Sequence, residues 1–255
     1  MAVYIDKTAY VDKRAELDDG VKVGRFAYIG PEVKVGKDTE IMQGVIIRKN
    51  TVIGKSNKIY PYAIIGEDSQ DLKYKGEESC VVIGDENVIR EFVTIHVATG
   101  EGEKTIIGNR NLLMGHVHIA HNCIIGNEVI MSQAAMLAGH VIVDDYAVIA
   151  GKAGVHQFRK IGKYAMVGGM SKITMDVPPF FMVDGNPAKL VGINSVKLNR
   201  CGFLKEEIDL AKKVYKLYRE KPKLAEVLKE VKSWGRIGEI FVEFFEKWDD
   251  VKPMR

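Results

Sequence analysis

The sequence predicts a mainly β protein, a parallel β-helix of hexapeptide repeats with a C-terminal α-helical domain. Two observations predict it. An aliphatic residue recurs at every sixth position, with few interruptions, from Ile5 to Ile173. Beyond about Asn194 the apolar residues recur instead at three- and four-residue steps. The domains are therefore expected at residues 1–190 and 191–255, with inserted loops near 68–80 and 97–104.

The repeat runs Ile5, Val11, Leu17, Val23, Ile29, Val35, Ile41, Ile47, Ile53, Ile59 and Ile65, then Ile83, Ile89 and Ile95. It continues from Ile107 through Leu113, Ile119, Ile125, Met131 and Leu137 to Val143, Ile149, Val155, Ile161, Val167 and Ile173. A period of six fits neither an α-helix nor simple strand alternation. It fits a short strand and a corner, three of which close one coil of about eighteen residues. Two residues before each aliphatic stands a small or slender side chain, such as Ala27, Thr39, Asn57, Ala63, Ala135 or Ala147. Residues two apart on a strand share a face, so both positions point inward. Glycine often follows the aliphatic, as at Gly24, Gly54, Gly108 and Gly168. Such glycines are expected to supply the unusual backbone angles of the corners.

The beat is skipped at Asp71, Glu77 and Glu101, yet resumes in phase. Loops that leave the coil and return to it explain this. After Ile173, Pro178, Pro179 and Pro187 punctuate a linking stretch. Leu204, Ile208, Ala211, Val214, Tyr215 and Tyr218 then outline an amphipathic helix, and Pro222 is placed to start a second. A third, aromatic-rich helix covers Ile237 to Trp248, its aromatics read as bundle core rather than a cofactor box.

The chain has 255 residues and a mild net charge of +3, and no nucleic-acid partner is expected. Lys197, Arg200, Lys205, Lys212, Lys213, Lys216 and Arg219 make the start of the helical domain locally basic. That face is either simply solvated or a dock for an acidic protein or a phosphate-bearing ligand. There is no secretory signal or long apolar segment, so an integral membrane protein is not expected. Three cysteines without a framework spacing suit a reducing cytoplasm.

Residues eighteen apart should lie in one column. His121 then lies below Gly139, and Gln157 above it; Asn122 lies below His140; His156 stands over Ala138 and Ala120. His118 precedes the inward Ile119 and points outward. His118, His121, His140, His156, Asn122 and Gln157 thus converge on one flank of three adjacent coils. Two readings remain open. Three histidines on neighbouring coils suit a metal with an open position, as in a hexapeptide-fold carbonic anhydrase. Alternatively one histidine is a general base for acyl transfer, and Gly139 offers a backbone N–H to an oxyanion.

Several segments resemble the UDP-N-acetylglucosamine acyltransferases of lipid A biosynthesis. They are Gln70-Asp71-Leu72-Lys73-Tyr74, Ile89-Arg90-Glu91, Val93-Thr94-Ile95-His96, Asn111-Leu112-Leu113-Met114, His118-Ile119-Ala120-His121, Leu137-Ala138-Gly139-His140-Val141, Val155-His156-Gln157-Phe158, Asp176-Val177-Pro178-Pro179 and Gly185-Asn186. Asn194, Leu198, Arg200 and Gly202-Phe203 complete the match, which spans nearly the whole chain in order.

The resemblance implies a left-handed β-helix, a homotrimer with active sites between subunits, and a cytoplasmic enzyme without cofactor or metal. The implied reaction moves a 3-hydroxyacyl chain from acyl carrier protein to the 3-hydroxyl of UDP-N-acetylglucosamine, the first step of lipid A biosynthesis. His121 matches the general base and Gly139 the oxyanion donor. Gln70, Asp71 and Lys73, with His118, Asn122, His140, His156, Gln157, Asn194 and Arg200, match substrate-contacting positions. Gly169 matches the residue that sets acyl-chain length. It stacks over Gly151, and two coils without side chains there predict a long chain, unless both are merely packing glycines.

The sequence also departs from the pattern. Asn122 stands where many relatives carry aspartate. An amide oxygen still orients the imidazole but stabilises its cation less. His116 is an extra histidine without an assignment, and Val196 and Cys201 replace charged residues of some relatives. A UDP-3-amino sugar, acylated to an amide at the same site, is the alternative acceptor.

Overall fold

A computed structural model describes residues 2–221, 223–248 and 250–254. Short strands stack into three sheets of eleven, nine and eight strands, parallel except for the last strand of the largest, as the faces of a triangular prism. Partners are eighteen residues apart in the first coils, as in Tyr4↔Lys22. The interval lengthens at Lys58↔Val88, then at Val88↔Leu112, and returns to eighteen at Leu112↔Ile130. The two insertions therefore leave the coil and restore its phase. Ile59, Ile89 and Leu113 follow one another in the core, each fully buried. Each such side chain contributes roughly 1.5–3 kcal/mol on burial.

The slender positions also point inward. Asn57, Asn87 and Asn111 form a buried ladder in which Asn57 Oδ1 accepts the Asn87 N–H at 2.8 Å and Asn87 Oδ1 accepts the Asn111 N–H at 2.9 Å. Their amides also donate to the carbonyls of Gly54, Gly108 and Gly126. This ladder satisfies polar backbone groups that a purely aliphatic core would leave stranded.

The corner glycines have a different reason from the one expected. Gly24, Gly54 and Gly108 are not in the left-handed region. The positive φ falls two residues later, on Phe26, Ser56 and Arg110, as it does at other corners on Asn122 and His140. The glycines serve close stacking instead: a Cβ on Gly54 would meet the Gly84 carbonyl oxygen at 2.7 Å. The positive-φ residues form three rows along the prism edges. His116 belongs to the first row, stacked on Phe92 at 4.9 Å, with Phe92 on Tyr62 at 5.5 Å.

The proline-punctuated stretch is more ordered than a linker. Phe181–Gly185 adds parallel to the eleven-stranded sheet and turns into an antiparallel strand, Ala188–Ile193. That strand crosses the boundary expected at 190/191, so the helical domain begins at α1 (Ser195–Arg200). It continues as α2 (Lys205–Glu220), α3 (Leu224–Val231) and α4 (Gly235–Glu246). Pro222, expected to start a helix, lies outside the described residues. The aromatics form the bundle core, with Phe181 packed against Tyr215, Tyr218 and Phe241 at 5.1–5.8 Å between ring centres.

The C-terminal tail ties the bundle to the last coil. Asp176 is fully buried and accepts N–H groups from Lys160 at 2.8 Å and Lys252 at 2.5 Å. Its charge faces the Arg159 guanidinium at 3.3 Å. Among the described residues, no helix is long and apolar enough to cross a membrane.

Candidate active site

The outer face of the nine-stranded sheet carries a column set by strand register: Thr94, His118, Met136, Gly154 and Lys172. Against it lies a cleft of about 640 Å³, walled by Gln70, Asp71 and Leu72 from the first insertion and by His121, Gly139, His156 and Gln157 from the corner. Stacking by eighteens and the inserted loop thus bring most of the expected residues together. Gly154 keeps the floor low, since a Cβ there would point into open space.

His121 is largely buried, and its tautomer follows from its neighbours. Asn122 Oδ1 accepts the Thr99 N–H at 2.9 Å, while Asn122 Nδ2 donates to the Thr99 carbonyl at 3.1 Å. These two bonds fix the amide orientation. The same Oδ1 lies 2.9 Å from His121 Nδ1, which must therefore be the donor. In the neutral ring the lone pair is therefore on Nε2, which faces the cleft 4.0 Å from Asp71 Oδ2. The amide oxygen of Asn122 thus orients the imidazole as expected.

Gly139 abuts this ring so closely that a Cβ would overlap Cε1 and Nε2. Among the described residues its N–H has no hydrogen-bond partner, while its carbonyl accepts the Phe158 N–H at 3.1 Å. A base and a free N–H donor therefore stand side by side, the pairing that acyl transfer needs.

The other histidines divide into separate tasks. His118 forms a 2.8 Å hydrogen bond with Thr94 Oγ1 and lines the cleft. Burial, with a smaller contribution from His96, lowers its pKa to about 4, so it is neutral near pH 7. His96 is buried and donates from Nδ1 to the Asp68 carbonyl at 2.6 Å. It pins the root of the first insertion. His140 meets His121 edge-on at 5.2 Å and stacks on Phe158 at 4.7 Å, on the far side of the corner. Its pKa is lowered, first by burial and then by His121. His156 is exposed at the rim.

Not every expected residue reaches the cleft. Lys73 stands beside it, its N–H held by Asp71 Oδ1 at 3.0 Å. Asn194 is buried and fully engaged: Oδ1 caps α1 through the Lys197 N–H at 3.2 Å, and Nδ2 donates to the Tyr164 carbonyl at 3.0 Å. That side chain has a structural task. Arg200 is exposed in the last turn of α1. Lys197 lies over the Tyr146 ring at 5.6 Å, which places α1 at a different prism edge from the cleft. Gly169 sits outside the cleft lining, its would-be Cβ in ordinary contact with the Gly151 carbonyl oxygen at 3.4 Å.

Leu72, Met136 and Lys172 also line the cleft and were not singled out. Counting outward-facing positions above and below His118 would have found the last two. Among the described residues, no three His, Cys, Asp or Glu side chains are grouped to hold a metal ion.

Fold and site together define a hexapeptide-repeat acyltransferase, and comparison with known proteins narrows the class. A family model described as UDP-N-acetylglucosamine O-acyltransferase, domain 2, matches residues 176–250. The acyl-[acyl-carrier-protein]–UDP-N-acetylglucosamine O-acyltransferase of Myxococcus xanthus is 46% identical over 231 residues, covering 90% of each chain. The protein of the same name from Gloeothece citriformis is 48% identical over 186 residues, 72% of this chain and 67% of that one. The crystal structure of the Francisella novicida UDP-N-acetylglucosamine acyltransferase superposes with a TM-score of 0.93 at 39% identity, covering 98% of this chain and 94% of that one. The chain belongs to the UDP-N-acetylglucosamine O-acyltransferase family, and its coils form that family's left-handed β-helix.

Proposed function

We propose that the protein transfers a 3-hydroxyacyl chain from acyl carrier protein to the 3-hydroxyl of UDP-N-acetylglucosamine, opening lipid A biosynthesis, with His121 as general base. The observation that carries the mechanism is the Thr99–Asn122–His121 chain, which directs the Nε2 lone pair into the cleft beside the unpartnered Gly139 N–H. Nε2 takes the proton of the sugar hydroxyl as that oxygen attacks the thioester carbonyl. The oxyanion of the tetrahedral intermediate accepts the Gly139 N–H. Collapse expels the carrier's thiolate, which takes the proton back from His121. Gln70, Asp71, Lys73, His118, His156 and Gln157 hold the sugar nucleotide around this centre.

The assembly is a homotrimer. Arg200 and the cleft occupy different edges of one prism, so a neighbouring subunit is needed to bring a basic α1 to the site. The exposed row Phe26, Tyr62 and Phe92 supplies apolar surface for that contact. The basic α2 surface suits the acidic carrier protein.

An assay crossing UDP-N-acetylglucosamine and its 3-amino analogue with carrier thioesters of several lengths tests the reading. Transfer of long chains to the hydroxyl is expected, since Gly151 and Gly169 leave that corner bare. Exclusive amide formation would change the acceptor, and preference for chains of about ten carbons or fewer would refute the open groove. The reaction uses no metal or cofactor. Tightly bound stoichiometric zinc in active protein would instead favour the hydratase reading.

A further inference from the structure

We propose that Ser69 and Thr99 are positioning residues for the transfer, joining the loop that presents Asp71 to the Asn122–His121 pair through one hydroxyl–hydroxyl hydrogen bond. The proposal rests on His121 being the base. Ser69 Oγ and Thr99 Oγ1 lie 2.7 Å apart, and Ser69 is buried although it belongs to an inserted loop. The same Ser69 oxygen accepts the Asp71 N–H at 3.2 Å. On the other side, Thr99 grips Asn122 with both its N–H and its carbonyl, and Asn122 holds His121 Nδ1. The path Asp71–Ser69–Thr99–Asn122–His121 closes on itself across the cleft, where Asp71 Oδ2 stands 4.0 Å from Nε2.

Two insertions, distant in sequence, thereby set both nitrogens of one imidazole. The second insertion holds the Nδ1 side through Thr99; the first presents a carboxylate to the Nε2 side. Their shared hydroxyl contact fixes one relative to the other. Asn122 is neutral, so Asp71 is the carboxylate nearest the imidazolium that forms when Nε2 accepts a proton. Its placement then matters to the chemical step as well as to binding.

A merely structural role for the hydroxyl pair is disfavoured by its redundancy. The loops are already fastened by Gly100 N–H to Glu77 Oε1 at 2.8 Å, Ser79 O–H to the Ala98 carbonyl at 2.6 Å, and Gly102 N–H to the Glu78 carbonyl at 2.7 Å. His96 adds its bond to Asp68. Removing one hydroxyl should leave the loops folded and only their alignment relaxed.

The test compares Ser69→Ala, Thr99→Val, their double variant and Thr99→Ser in the full trimer-competent chain, with His121→Ala assayed in parallel. Misplacement of a reacting group by a fraction of an ångström predicts a loss of about tenfold in kcat for each single variant, with KM for the acyl carrier substrate held within about twofold. The double variant should be no slower than the worse single, because both break one bond. Thr99→Ser keeps the hydroxyl and should restore kcat. Unchanged thermal melting of Ser69→Ala and Thr99→Ser controls for folding. The proposal is overturned if both single variants keep the parental kcat, or if their losses multiply in the double variant. Full activity in His121→Ala would remove the base itself, whatever the hydroxyl variants do.

Discussion

Replacing Gly139 with alanine is expected to disable transfer without unfolding the protein, and the structure gives the scale of the effect. The added Cβ would overlap Cε1 and Nε2 of His121 and stand 3.0 Å from Nδ1. Ordinary carbon contacts need about 3.5 Å, so the ring must retreat by about 1 Å or more. It cannot do so freely, since Nδ1 is held by an Asn122 that Thr99 clamps on two sides. A displacement of that size typically costs about 10²-fold, or about 2.7 kcal/mol on the barrier. Overpacking adds roughly 1–3 kcal/mol against folding. The backbone adds no strain, because Gly139 is not in the left-handed region. Steady-state kinetics with thermal melting separate the two effects. A folded Gly139→Ala enzyme with kcat within about threefold of the parent would refute the claim that ring placement governs the chemistry.

Removal of the imidazole in His121→Ala should lower kcat by about 10²–10⁴-fold, with circular dichroism unchanged. His118 gives a pH signature. Its folded pKa lies near 4, below the ordinary 6.5. As the pH falls from 6.5 towards 4, the unfolded chain therefore takes up a proton that the folded chain refuses. Stability from this residue is present above about pH 6.5 and lost towards pH 4. The melting temperature of the parent should fall more steeply over that window than that of His118→Gln, and parallel curves would contradict it. In the coils, Gly54→Ala drives a Cβ against the Gly84 backbone and should lower the melting temperature by at least about 2 °C, whereas Gly154→Ala, facing open space, should leave it unmoved. The proposed open groove predicts that Gly169→Met shifts preference towards shorter chains in the thioester panel, because its side chain extends into the bare corner beside Gly151.

The strand stack and much of the cleft were legible in the sequence because a fixed period is also a ruler. Steps of eighteen placed Gly139 over His121 and Gln157 over Gly139 without any knowledge of side-chain contacts. The ruler fails where the chain leaves the coil. Thr99 and Ser69 lie in insertions, so no count relates them to Asn122, although they hold it and Asp71 in place. Glycine misled the reading of the corners, because two demands can select it. Coil-to-coil contact selects Gly24, Gly54 and Gly108, whose corners carry the positive φ two residues later. Asn194 shows a further limit: a motif residue at a helix start is indistinguishable in sequence from a cap, and its side chain does cap α1.

The three rows of positive-φ residues give each prism edge its own occupation. A left-handed conformation costs a non-glycine residue roughly 1–2 kcal/mol, yet these corners bear it repeatedly. In exchange, most of these positions carry a side chain outside the coil's own core, although Tyr164 and Phe180 are buried under the helical domain. One edge carries Tyr62, Phe92 and His116 as an outward aromatic rail. The next carries Asn122, His140 and Phe158 beside His121. The third ends in Tyr146, Tyr164 and Phe180, on which Phe203 and the helical domain settle. Mutations along the solenoid should accordingly sort by edge. Two substitutions a full coil apart will share a phenotype more often than two that are adjacent in the chain.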